Sequence, residues 1–254
     1  MSSRLRSIAI VELLAQYPTG LAAQAISARL SIPLAATERL LQELVQSDYV
    51  KLTADDQSYA LRLKLAAIGL AFLGASGITD LVQPILDDLA KRSGELVRLA
   101  IREGHRLRWV AKAQGSHTGL MYNPDVSAPV NLTTTANGQA WLACLTEREI
   151  LDLLDRQPDA LAHDQAARGK LMHELTIARE RGFAFVSERY QTGMSAIAAP
   201  IRKKDGAAPM GTVSIAGPTI RMNDARVEEM ASWLIGTAGE LAAASAASPL
   251  FAGQ

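Results

Sequence analysis

The sequence predicts a two-part α+β chain: an N-terminal winged helix-turn-helix, a short linker helix, and a larger C-terminal α/β domain. Three observations predict it. Three short segments with helical periodicity are followed directly by two strand-like runs around a polar turn. Gly74-Ala75-Ser76-Gly77 then interrupts the pattern. Beyond it, blocks of strand and blocks of helix alternate to the end, the order expected of a sheet covered by helices.

In the first part, Leu5, Ile8, Val11, Leu14 and Ala15 share one helical face, and the helix stops at Pro18-Thr19-Gly20. Ala22, Ile26 and Leu30 mark a second helix, which Ser31-Ile32-Pro33 ends while opening the next. From Leu34 to Val45, Thr37, Leu40, Leu41, Leu44 and Val45 form one face, and Ala35, Glu38, Arg39 and Gln42 fall on the other. The runs 49–52 and 58–61 flank Ala54-Asp55-Asp56-Gln57 and predict a small hairpin, the wing. Residues 62–74 are rich in Leu and Ala on nearly every side. A short helix apolar all round must be buried by something else, so this linker is expected to be covered in a dimer. The resulting division is 1–62, 63–77 and 78–254.

The second domain opens with a helix over 78–92, followed by strands near 96–102 and 107–112. Helices are expected over 133–145, 147–154 and 167–181, the last stopped by Gly182. Strands over 183–189, 195–202 and 210–216 come next, the last two joined through Lys203-Lys204-Asp205-Gly206. A final helix runs from Asn223 to about 243.

Twenty-six basic residues balance twenty-six acidic ones, so the whole-chain charge gives no support for a nucleic-acid partner. Residues 1–65 hold seven basic against six acidic side chains, a modest electrostatic footprint that a dimer would double. No segment reads as a secretory signal or a membrane span, and the lone Cys144 excludes an intrachain disulfide. The chain reads as cytoplasmic, with no membrane partner.

Four stretches carry a resemblance: Arg6-Ser7-Ile8-Ala9-Ile10 through Tyr49-Val50, with Ile32-Pro33 and Arg39-Leu40-Leu41 inside it; Thr133-Thr134-Thr135-Ala136-Asn137-Gly138-Gln139-Ala140-Trp141-Leu142-Ala143; Gly193-Met194-Ser195-Ala196-Ile197-Ala198-Ala199-Pro200-Ile201; and Thr212-Val213-Ser214-Ile215-Ala216-Gly217-Pro218. In order and spacing they resemble the IclR family of bacterial regulators along essentially the whole chain. The resemblance implies a GAF-like effector-binding domain and a homodimer or homotetramer on double-stranded operator DNA. It implies a repressor or activator of a catabolic operon, set by a small organic acid, with no cofactor and no metal. The chain departs from the family at Leu34-Ala35-Ala36, where a polar segment often opens the recognition helix, and at Thr133, where His is frequent. Val186 and Ser187 stand where acidic residues are common.

A helix in the major groove reads bases from one face, and flanking basic groups hold phosphates. Arg39 suits guanine or phosphate, Gln42 adenine, and Glu38 a cytosine amino group, with Thr37 at the edge of the same face. Arg4, Arg6 and Lys51 are the phosphate candidates. In the second domain, Thr135, Ala136, Asn137 and Gly138 open a helix whose N–H groups favour an anion, and the resemblance makes this turn the polar end of the pocket. By the same carry-over Val186, Ser187, Ala196, Ser214 and Ala216 face the pocket, while Leu120, Met121, Tyr122, Val130 and Met194 supply an apolar wall. With acidic groups lost and small residues at 196 and 216, the pocket is expected to be roomier and less polar than one for a two- or three-carbon acid. An aromatic or medium-chain carboxylate follows from that expectation.

Two other classes compete with this reading. An enzyme is disfavoured because His105, His117, His163 and His173 have no metal-ligand spacing and no GxSxG, GxGxxG or P-loop sequence occurs. A ligand-binding protein whose winged helix makes protein contacts fits the weak local charge and the apolar Leu34-Ala35-Ala36.

Overall fold

A computed structural model describes residues 3–53, 57–122, 124, 130–156, 164–202 and 209–245. The expected turns at 54–56 and 203–206 lie outside the described residues. The chain divides into two compact units, 1–73 and 74–254.

In the first unit, α1 (Ser3–Ala15), α2 (Ala23–Leu30) and α3 (Leu34–Gln46) enclose a core of Ile10, Leu14, Ile26, Leu40, Leu41 and Leu44. Burying such side chains contributes about 1.5–3 kcal/mol each before ordering costs. Ser31 takes a left-handed conformation that ends α2, and Pro33 opens α3 with no side-chain cap on its first turn. Strands β1 (Val50–Leu52) and β2 (Tyr59–Leu61) pair antiparallel, and Leu21 bridges Tyr59 to widen the wing. The helix α4 (Leu63–Ala75) follows and carries no buried residue.

The second unit is built on a five-stranded antiparallel sheet of β3 (Leu96–Glu103), β4 (Arg106–Gln114), β5 (Ala184–Ser187), β6 (Met194–Ile201) and β7 (Gly211–Pro218). Its order is β4-β3-β7-β6-β5, so the last strand in sequence is central and buried along its whole length. Period-2 alternation sorts the side chains into two layers. Val97, Leu99, Ile101, Ile197, Val213 and Ile215 pack on α5 (Gln83–Ser93) and the C-terminal helix. Ala100, Val186 and Ala198 face α6 (Ala136–Leu142), α7 (Glu147–Leu154) and α8 (Gln165–Arg181). The C-terminal helix, α9, spans Asp224–Ala244.

One irregularity shapes the edge of this sheet. Leu99 pairs with Ala111 but Ala100 pairs with Trp109, so Val110 is an extra residue in β4. Helix α6 is also shorter than the periodicity over 133–145 suggests. The Asn131 carboxamide oxygen accepts from the Thr133 and Thr134 amides at 2.9 and 2.8 Å, holding them in a local turn that competes with helix. Thr135 then caps α6, accepting from the Gly138 amide at 3.0 Å. Among the described residues no single helix is long and apolar enough to cross a membrane, and no group of three His, Cys, Asp or Glu is placed to hold a metal.

Candidate functional site

On the first unit, the amphipathic pattern of α3 presents Glu38, Arg39 and Gln42 to solvent, as does the strand position of Lys51. Arg39 pairs with Glu43 one turn along at 2.8 Å, and its other terminal nitrogen lies 3.4 Å from the Ser3 hydroxyl. That contact sets the start of α1 beside the exposed stripe of α3. Arg4 is exposed there and Arg6 half-buried. Thr37 differs from the expectation: it is fully buried, and its hydroxyl bonds the Pro33 carbonyl at 3.2 Å. It anchors the helix and offers nothing to a groove. Leu34 and Ala35 are exposed at the helix start.

On the second unit, the face of the sheet toward α6 encloses a cavity. It is lined by Arg98 of β3, Tyr122, Thr134 and Thr135 before α6, Ala136 and Asn137 within it, Val186 of β5, Tyr190, Gln191, Met194, Ser195 and Ala196 around and on β6, and Ala216 of β7. Cross-strand register brings these side chains together: Val186 opposes Ala196, which opposes Ala216. The side chains close in so far that only about 30 Å³ is left open, room for roughly one or two waters. A roomier, less polar pocket was expected from the small residues at 196 and 216. Three large side chains, Arg98, Tyr122 and Tyr190, stand on the cavity wall.

Arg98 is 6% exposed. Its guanidinium lies 3.7 Å from the centroid of the Trp109 ring and 5.8 Å from that of Tyr122. Its Nε has no acceptor, and among the described residues no carboxylate pairs with it. Burial lowers its pKa from the ordinary arginine value, the opposite of what an ion pair does. Burial also raises the Tyr122 phenol, against the pull of the Arg98 charge. The segment carrying Tyr122 is tied down: Gln114 donates to the Tyr122 carbonyl at 3.0 Å, and Arg221 donates to the Leu120 carbonyl at 3.1 Å while paired with the buried Glu95.

Of the residues proposed from sequence, Tyr122, Thr135, Ala136, Asn137, Val186, Met194, Ala196 and Ala216 lie together on this cavity. The others sit elsewhere. Leu120 and Met121 are exposed outside it, Val130 packs in the core below α6, and Ser187 is exposed, its hydroxyl 2.9 Å from that of Ser195. Ser214 is buried within the sheet, 3.5 Å from the Arg98 carbonyl. The close approach that Gly138 permits is to its own chain: a Cβ there would stand 2.4 Å from Leu132 Cα. Asn137 spends its amide on the Thr212 hydroxyl at 2.9 Å, fixing α6 to β7. Sequence reasoning missed Arg98, Tyr190, Gln191 and Ser195, while Thr134 belongs to the turn expected at the polar end of the pocket. For Arg98 a signal existed, a lone cation in the otherwise apolar run from Leu96 to Ile101. Tyr190 and Gln191 lie in a loop and carried none.

Comparison with known proteins agrees across both units. The family model described as the bacterial transcriptional regulator IclR C-terminal domain matches residues 70–243, and the IclR helix-turn-helix domain matches 5–53. The transcriptional repressor IclR of Escherichia coli (strain K12) is 27% identical over 246 residues, covering 95% of this chain and 89% of the relative. An IclR transcriptional regulator from Alicyclobacillus acidocaldarius superposes with a TM-score of 0.81 at 20% identity, over 95% of this chain and 98% of that one. An IclR homologue from Microbacterium hydrocarbonoxydans, solved with 4-hydroxybenzoate, gives 0.75 at 18% identity, over 97% and 100%. With the two domain matches in the order that the fold places them, the chain belongs to the IclR family of DNA-binding transcriptional regulators.

Proposed function

We propose that this regulator binds double-stranded operator DNA beside a catabolic operon and that a small organic acid, held in the cavity against α6, sets its occupancy. The observation that carries the reading is the small cavity on the inner face of the sheet, where Thr134, Thr135, Asn137 and Gln191 supply polar groups and Val186, Met194, Ala196 and Ala216 an apolar wall. Few polar groups over an apolar wall is the usual make-up of a small-molecule site. The relative crystallised with 4-hydroxybenzoate supports an acid of aromatic or medium-chain size. On the DNA side, Glu38, Arg39 and Gln42 read bases, while Arg4, Arg6 and Lys51 hold phosphates. Operator binding places the protein in the cytoplasm, as a homodimer or homotetramer joined through the apolar α4. No catalytic step is assigned to the chain.

The test is an anisotropy titration of the full chain against its own upstream DNA, at fixed salt and with nonspecific competitor, repeated with candidate acids. Saturable binding that one acid shifts is the expected result. Purely nonspecific, salt-sensitive binding would overturn the operator reading and favour a winged helix that docks a protein, to which the exposed Leu34 and Ala35 are suited.

A further inference from the structure

We infer, on the reading of this cavity as the effector site, that Arg98 selects the effector and that the effector is a monocarboxylate with an apolar body. Arg98 stands in the middle of a buried strand between Val97 and Leu99, with its guanidinium on the cavity wall. Three other partly buried arginines of this unit are satisfied, and Arg102, whose Nε also lacks an acceptor, is only half-buried near the end of the same strand, outside the cavity wall. Arg189 makes two bonds to Glu174, Arg221 pairs with Glu95, and Arg179 donates to the carbonyls of Ala143 and Leu145. Among the described residues no carboxylate pairs with Arg98, and its Nε finds no acceptor.

A buried cation without a counter-ion is costly, and a purely structural arginine would be paired or absent. The Trp109 ring holds the planar group in place by cation–π attraction and leaves its charge undiminished. What completes the site is an anion with at least one oxygen directed at the guanidinium edge, a geometry that arginine satisfies better than lysine. The charge count sets the class. Among the described residues Arg98 is the only cationic side chain on the cavity wall, so one carboxylate is matched and a second would be buried unpaired. The remaining wall, Val186, Met194, Ala196 and Ala216, suits an aromatic ring or a short aliphatic tail. With little space open, a ring enters by displacing side chains at the mouth, where Tyr190 and Gln191 are exposed.

The experiment uses the full chain and its Arg98→Met and Arg98→Lys variants, with benzoate, 4-hydroxybenzoate, hexanoate and pyruvate as probes, beside benzamide and the dianion phthalate. Thermal shift and calorimetry report binding, and operator affinity without acid is measured in parallel. Benzoate, 4-hydroxybenzoate or hexanoate is expected to raise the wild-type melting temperature, with benzamide, phthalate and pyruvate ineffective. Arg98→Met is expected to melt no lower than wild type without ligand, because it removes an unpaired buried charge at similar volume, yet to bind the acid at least about 30-fold more weakly. Arg98→Lys should keep part of the affinity. The proposal is overturned if no monocarboxylate stabilises the wild type, if benzamide or phthalate binds as well, if Arg98→Met binds acid like wild type, or if Arg98→Met melts well below wild type. Failure of the wild type to bind its operator would count against the regulator reading and leave the Arg98 result standing.

Discussion

Arg39 and Glu43 lie a turn apart on α3, both more than half exposed, and a pair of that kind is worth about 0.3–0.5 kcal/mol. The guanidinium is therefore released to a base or phosphate at little cost. Arg39→Ala is expected to abolish specific operator binding while leaving the melting temperature of the protein nearly unchanged. Retained operator affinity at fixed salt would remove Arg39 from the reading face. Single residues also show where sequence reasoning reaches its limit. The period of α3 identified its exposed stripe, but Thr37, which borders it in projection, turns its hydroxyl to the backbone of the previous turn. Projection onto a helical wheel does not carry that choice. Arg98 was visible as an exception within an apolar strand, whereas its lack of a partner depends on residues far apart in the chain.

Among the elements, α4 is the one that the second copy of the chain should cover. Leu70 and Phe72 are 67% and 62% exposed on a helix with no buried residue, an arrangement costly for a lone chain in water. Replacing both by Glu is expected to yield a monomer by light scattering, whereas an unchanged mass would place the interface elsewhere. A second contact joins three elements: Glu174 of α8 accepts from Arg189 after β5 at 2.6 and 2.7 Å and from Gln139 of α6 at 3.1 Å. Burial works to raise the Glu174 carboxyl, but the hydrogen bonds and charge of Arg189 outweigh it, and its pKa is lowered. A carboxylate with a depressed folded pKa stabilises the fold above the unfolded glutamate range, about 4.3, and loses that contribution as pH falls through the folded value. Glu174→Gln should therefore melt below wild type at neutral pH, and the gap should shrink as pH falls below the ordinary glutamate range. A gap independent of pH would assign the loss to packing. These elements were legible from their periodicities. The short α6 was not, because the Asn131 turn that delays it is a side-chain bond and leaves the apolar spacing intact.

For the molecule as a whole, a net charge of zero leaves DNA affinity to a few local cations, and the salt dependence of binding counts them. Arg4→Ala and Arg6→Ala are each expected to reduce the slope of log affinity against log salt by about 0.9 per protomer, lowering affinity on every sequence alike. An unchanged slope would show that neither touches a phosphate. Local order predicted the two-part fold. The central place of β7 was not legible, since it depends on pairings with β3 and β6 across long stretches of chain. The cavity gathers residues from four strands, two loops and α6, so most of its wall came only through family resemblance. The extra residue in β4 adds an arithmetic to that wall. Val110 shifts the count by one, so that Trp109 falls on the layer of Arg98 when strict alternation would send it to the layer of α5. The aromatic shelf beneath the cation is thus encoded by the parity of a strand as much as by the identity of a residue. Unbroken pairing with Val110 retained would set Val110 opposite Ala100 and Trp109 opposite Ile101, carrying the indole to the other side of the sheet without altering any residue that lines the cavity, whereas deletion of Val110 would leave Trp109 opposite Ala100 and the shelf in place.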